Sequence, residues 1–338
     1  MAINRTDPRV LHVFDCADVA STLVRSGRVE GLPWRHLDMR DTSGDTRGLL
    51  GPARRLAGVG GWKVRRRVEF QRADLLHIHF GTRVNIAQAA PGRPFVVHFH
   101  GTDIREFYRD PAQRERVQWG ADHARAVFYA TPDLAEHARE ARPDALYLAN
   151  PVDLSELPEW TPRPEVSVVF ASRWSGAKGG GRQLELAESL VRALAGSGVQ
   201  VQGLQWGENA SRAAAAGVRL IPQMDKPAYL RWLAGAHAVV GQSTGLLGMS
   251  ELQALAIGVP TVMELRTELY PGTVPILSPP SVQEQTAAIV EVLRDPARSS
   301  QELDARRWVR EHHDPRVIAR TLADHYRSLD LDAGADAG

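Results

Sequence analysis

Cysteine is nearly absent: Cys16 is the one thiol in 338 residues, so no internal disulfide can form. A disulfide-stapled secreted scaffold is thereby excluded, and a reducing compartment fits. The chain also lacks a charge excess of either sign. Lys+Arg total 41 against Asp+Glu 40, a net charge of +1, which argues against a dedicated nucleic-acid binder. No uninterrupted apolar run approaches the roughly 20 residues needed to span a bilayer. Met1–Pro8 lacks the apolar core of a secretory signal. A cytoplasmic protein is the expectation. What is present is a hydrophobic content of 43%, enough to build cores. At roughly 150 residues per domain, the length implies two domains. Arg54, Arg55, Trp62, Lys63 and Arg65–Arg67 read either as an interfacial helix, giving peripheral membrane contact, or as a solvated helix face.

In the first half, short β-rich runs alternate with helix-like stretches. Val10–Phe14, Arg35–Met39, Leu75–Phe80, Phe95–Phe99, Ala126–Ala130 and Ala145–Ala149 have the length of buried strands. Helices are expected near Arg65–Arg72, Ala112–Ala124 and Pro132–Ala141. This alternation predicts a parallel sheet covered on both faces. Pro151, Pro158, Pro162 and Pro164 then mark Asn150–Pro164 as a linker. The rhythm restarts with strands at Val166–Ala171, Val199–Leu204, Val218–Ile221, Ala238–Val240, Pro260–Met263 and Val274–Leu277. Helices are expected at Gly181–Ala195, Pro227–Ala236, Gly248–Ile257 and Val282–Leu293. The resulting expectation is an α/β chain of two Rossmann-like, doubly wound parallel-sheet domains facing a cleft, over 1–152 and 165–313. A terminal helix over 314–330 and a fraying tail over 331–338 follow.

Ligands of open α/β sheets sit at the carboxyl ends of strands, so chemistry is sought there. Phe170–Gly181 follows one strand and precedes a helix. It holds Arg173 and Lys178, a planar fork and a compact charge able to reach a diphosphate, beside Gly179, Gly180 and Gly181. A basic surface loop with a glycine turn is the plainer alternative. Gln242–Thr261 reads as a loop, a small-residue helix and a turn at Gly258 and Pro260. Exposed amides near Leu247, Gly248 and Met249 are expected to form an anion site. An ordinary crossover helix is the alternative. His77-Ile-His79 and His98-Phe-His100 each put two imidazoles on one strand face. Such pairs can hold Zn²⁺, as in a metal-dependent hydrolase, or can simply line a cleft. Asp330-Leu-Asp332 lies in the tail and is set aside.

Taken in order, five segments resemble a known family. They are Asp74–His79, Val97–Asp103, Tyr147–Asp153, Ser172-Arg173 with Lys178-Gly179, and Ala254–Pro260. The order is similar to that of retaining GT-B glycosyltransferases of the "group 1", glycogen-synthase-like class. The resemblance implies a nucleotide-sugar donor bound by the C-terminal domain through Arg173, Lys178, Gly179, Gly248, Met249 and Gln253. It implies that Arg173 and Lys178 stabilise the departing diphosphate, so that neither a metal nor a cofactor is needed. It places His100 beside the transferred sugar, as a third catalytic residue. His79, Asp103 and Asn150 would line the acceptor side or cleft. The acceptor is a small molecule, a glycan or a lipid-linked molecule, and no nucleic acid is involved. The terminal helix would cross back to the first domain.

Two departures stand out. Where the class has a Gly-Gly loop after its first strand, this chain has Phe14-Asp15-Cys16-Ala17-Asp18. Where it has Glu-x7-Glu, this chain has Gly245 and Gln253. The leading expectation is an active glycosyltransferase. A catalytically impaired sugar-nucleotide-binding partner subunit is the second, and a metal-dependent hydrolase using the His-x-His pairs is the third.

Overall fold

The computed structural model describes residues 7–38 and 64–331. The chain divides into two units, Met1–Pro151 with Pro315–Gly338, and Val152–Asp314.

The first unit holds a six-stranded sheet: β1 (Val10–Val13), β2 (Arg35–Leu37), β3 (Leu75–His79), β4 (Phe95–Phe99), β5 (Val127–Tyr129) and β6 (Leu146–Tyr147). Their order is β2-β1-β3-β4-β5-β6, and every pairing is parallel. Side chains of successive strand residues point to opposite faces. One set, with Leu11, Val13, Leu76, Ile78, Val97, Phe99, Val127 and Tyr129, forms an apolar core. That core is completed by Phe70, Val84, Val117, Ala121 and Ala138. The alternate set holds His12, His77, His79, His98 and Phe128, all buried. Over this face Tyr326 of helix Pro315–Ser328 stands edge-on to His77 and to Trp34, with ring centroids 6.0 and 5.5 Å away. The same helix packs along helix Val19–Val29, and Arg320 pairs with Glu30 at 2.9 Å. Val19–Val29, which sequence reading passed over, buries Val19, Ala20, Leu23 and Val24 at helical spacing.

The second unit holds β7 (Ser167–Phe170), β8 (Gln200–Leu204), β9 (Arg219–Ile221), β10 (Ala238–Val240) and β11 (Thr261–Val262), in the order β11-β10-β7-β8-β9, again parallel. One apolar cluster, with Val168, Phe170, Leu184, Leu190 and Ile289, covers one face; another, with Val169, Leu204, Leu230, Leu233 and Val239, covers the other.

Two expectations need correction. Val274–Leu277 is no strand, since a single bridge joins Leu277 to Val262; Pro275 within it removes a ladder donor. Asn150–Pro164 is not a free linker beyond its start. From Val152 onward it is folded onto the second unit: Thr161 and Arg163 donate backbone N–H to Ala234 and Gly235, and the Trp160 indole donates to Ala236 at 2.8 Å. Helices Pro296–Leu303 and Ala305–His313 were also unforeseen. Of the basic Arg54–Arg67 segment, residues 54–63 lie outside the described residues, while 64–72 are helical. Most of the 331–338 tail also lies outside them. Among the described residues, no helix is long and apolar enough to cross a membrane.

Candidate active site

In each sheet the strand order reverses once, and ligands of open α/β sheets bind at the carboxyl ends of the strands beside such a reversal. In the second unit the reversal falls between β7 and β10. The loop after β7 carries Arg173 and Lys178, and the loop after β10 runs from Gln242 to Gly248. They are joined directly: the Ser243 N–H donates to the Lys178 carbonyl at 3.0 Å. Gly179 makes this approach possible. Its φ is +76°, and a Cβ there would stand 2.3 Å from the Ser243 carbonyl oxygen. The Arg173 guanidinium donates from Nε to the Ser175 hydroxyl at 3.1 Å and lies over the Trp206 ring at 5.8 Å. The neighbouring Gly176 N–H is held by Glu208 at 2.6 Å, a bond that keeps the Glu208 carboxyl below its ordinary range.

The Lys178 ammonium reaches the start of helix Met249–Ile257: a Cβ built on Gly248 would lie 3.7 Å from its Nζ. Positive charge from the side chain and from the helix N-terminus thus accumulates at one point. The expected open amides are only partly there. The Gly248 N–H is taken by Glu251 at 2.9 Å, and the Leu247 N–H by the Tyr270 hydroxyl at 2.8 Å. Glu251 also accepts from the Gln242 N–H at 3.0 Å and is buried. It takes the capping position N3 because the helix starts at Met249. Gln253, two residues on, is also buried. Gly245 has φ +75° and is bridged to Leu265, so a glutamate there would be strained.

In the first unit the reversal falls between β1 and β3. The residues following these strands, Phe14 and Phe80, have φ of +67° and +89°, and Ala17 and Asp18 have +52° and +62°. The loop from Phe14 to Asp18 therefore has a glycine-type backbone without glycine. Strain of this kind collects at functional sites. Arg83 lies 4.9 Å over the Phe14 ring. Next to these loops, His79 Nδ1 meets His100 Nε2 at 3.0 Å, and His79 Nε2 meets His12 Nδ1 at 3.0 Å. His77 Nδ1 meets the Tyr326 hydroxyl. Both His-x-His pairs thus converge, and His12, which sequence reading left out, joins them. Burial pushes His12 and His100 down to about 3 and His77, His79 and His98 well below the ordinary imidazole range, so all five are neutral near pH 7. Asp103 accepts N–H bonds from Gly81, His100 and Gly101 at 2.7–3.0 Å, and so shapes the turn that presents His100. Burial pushes its carboxyl up. Asn150 is buried at the end of this unit.

Residues 5–150 match the family model of the Glycosyl transferase 4-like domain. Anabaena HepE, in a structure with UDP and glucose, superposes with TM-score 0.66 at 15% identity, covering 95% of this chain and 100% of that one. The fold is GT-B. An S. aureus TarM mutant in complex with fondaparinux, alpha-GlcNAc-glycerol and UDP superposes with TM-score 0.59 at 13% identity, over 75% of this chain. This chain spans about half, 55%, of that TarM chain. A putative UDP-N-acetylglucosamine 2-epimerase from Listeria monocytogenes superposes with TM-score 0.57 at 13% identity, over 96% of this chain and 98% of that one. No curated protein matches the sequence. The chain thus has a GT-B fold, and its first unit is similar to the Glycosyl transferase 4-like domain.

Proposed function

We propose that this chain is a glycosyltransferase that moves a sugar from a nucleoside-diphosphate donor to an acceptor hydroxyl, with retention of anomeric configuration. The observation that carries it is the meeting of Lys178 Nζ with the N-terminus of helix Met249–Ile257, beside the Arg173 loop. Charge develops on the diphosphate as the sugar–oxygen bond breaks, and fixed cations stabilise that charge most when they are already in place. In this reading Arg173 and Lys178 supply that charge, so no divalent metal is called for at the diphosphate. The electron pair leaves with the phosphate oxygen. The acceptor oxygen bonds to the anomeric carbon on the same face, and its proton passes to the departing phosphate. Gly179, Gly248, Met249 and Gln253 belong to the donor side. His100 takes the sugar-facing role, and His79, Asp103 and Asn150 support it from the acceptor unit. A cytoplasmic place in glycan or glycoconjugate synthesis suits this chemistry and the near-absence of cysteine.

HepE and TarM were each solved with UDP, so a screen of nucleoside diphosphates and their sugar conjugates is the first test. Saturable binding that weakens in Lys178→Ala supports the reading. Product stereochemistry by NMR then tests retention, and an inverted linkage rejects it. Gly245 favours one second reading, a sugar-nucleotide-binding partner subunit that has lost catalysis. Binding without donor hydrolysis or transfer identifies that case, and interconversion of the free sugar nucleotide identifies an epimerase.

A further inference from the structure

The histidine face of the first sheet contains more unsatisfied polarity than a donor-sugar contact needs. Among buried side chains, both ring nitrogens of His98 have no hydrogen-bond partner, nor do His12 Nε2 and His77 Nε2. Buried polar atoms are nearly always paired, and an unmade bond is costly. His98 is the most exposed to this penalty, because neither its donor nor its acceptor is used. It lies opposite His79 in the β3–β4 register, and its ring centroid is 4.3 Å from that of His100.

We propose that His79, His98 and His100 form a binding site for one divalent d-block cation of the zinc class. One ligand nitrogen from each lies within 4.8 Å of the other two. Three imidazoles are a donor set for zinc, cobalt, nickel or copper rather than for magnesium or calcium, and they leave a fourth position for water or another donor. A cation there would use the lone pair of a His98 nitrogen that the protein leaves unpaired. A second set, His12, His77 and His79, also meets the distance condition. It is less accessible, because all three of its rings are fully buried; in either set a cation replaces a ring contact of His79, whose two nitrogens meet His12 and His100. His100, by contrast, keeps an exposed edge through which a cation can arrive. Asp103 stays outside the donor set, holding the His100 backbone N–H. Where His100 also faces the sugar, as in the reading above, cation binding competes with transfer.

The test needs no transfer activity, so its failure is separable from failure of the glycosyltransferase reading. Tag-free full chain is titrated with Co²⁺ and with Zn²⁺ at neutral pH, by calorimetry and visible absorption. The expected result is one saturable equivalent, with the visible bands of four-coordinate Co²⁺. His98→Phe and the more conservative His98→Gln, each checked for folding by circular dichroism, lose both signals. His137→Phe, on helix Ala135–Ala141, keeps them. The absence of saturable binding by folded wild type overturns the proposal. So does binding that survives both His98 variants, whether it then proves sensitive to His12→Phe or to neither.

Discussion

The backbone N–H of Ser243 donates to the carbonyl oxygen of Lys178, and this one bond at 3.0 Å ties together the two loops that flank the strand reversal of the second unit. It exists because Gly179 has no side chain. Gly179→Ala puts a methyl into the Ser243 carbonyl and asks alanine to hold φ +76°. The expected cost is about 1–3 kcal/mol in urea unfolding, with weaker nucleoside-diphosphate binding by calorimetry. A variant that kept both wild-type values would remove the loop junction from the argument.

Lys178→Ala and Arg173→Ala are expected to act on turnover rather than on folding. In the proposed reading each removes a cation facing developing negative charge, so kcat/KM should fall by about 10²–10³-fold. Their side chains are only partly buried, so melting temperatures should stay close to wild type. Steady-state kinetics on a donor found in the screen decides this. Loss confined to melting temperature would assign the pair a structural role.

Glu251 caps its own helix and holds the Gln242 loop. Glu251→Ala leaves the N–H groups of Gln242 and Gly248 without their acceptor and should cost about 1–3 kcal/mol. Glu251→Gln retains one side-chain acceptor oxygen and should fall between. Chemical denaturation of the three proteins gives the ranking, and equal stabilities would contradict it.

Gly245→Glu puts a carboxylate back where the resembling class has one, but not its backbone. Non-glycine residues at φ +75° are strained, and here the Cβ would also lie 3.2 Å from Arg266 Cγ. We expect a loss of about 1–2 kcal/mol and no gain in turnover. Increased transfer by this variant would show that the loop adapts.

Four buried histidines and the half-buried His100 make the first unit acid-sensitive. Their folded pKa values lie below the unfolded value near 6.5, at about 3 for His12 and His100. The unfolded chain therefore binds more protons between these limits. Stability is complete above about pH 6.5 and is lost as pH falls toward 3, by up to about 1.4 kcal/mol per pH unit for each histidine. Urea midpoints measured from pH 8 to pH 4 should show this slope, and His98→Phe should flatten it. A midpoint that held constant to pH 4 would exclude the burial of neutral imidazoles.

Much of the architecture was legible because buried parallel strands are short apolar runs with little ambiguity. Val10–Val13, Phe95–Phe99 and Ala238–Val240 were all visible in that way. The Arg173–Lys178 loop was legible as the turn between a strand and a helix, but its residues alone did not separate a phosphate site from a basic surface loop. The role of Glu251 was not legible, because it depends on the helix starting at Met249 rather than at the expected Gly248, which puts the glutamate at N3. The left-handed backbone of Phe14 and Phe80 could not be read at all, because nothing local distinguishes such a phenylalanine from one in a strand. His12 was missed for a simpler reason: an isolated histidine in an apolar run gains meaning only beside its register partner His77.

Helix Pro315–Ser328 closes the first unit but is translated only after the whole of the second. At roughly 5–20 residues per second, the ribosome spends on the order of 10 s on the intervening chain. Throughout that interval Trp34, His12 and His77 lack Tyr326, so the nascent sheet leaves its polar face wet while its apolar face can already pack. The order of synthesis therefore divides one domain into an early half and a late half, and the late half waits for the terminal helix to exclude water from the imidazoles.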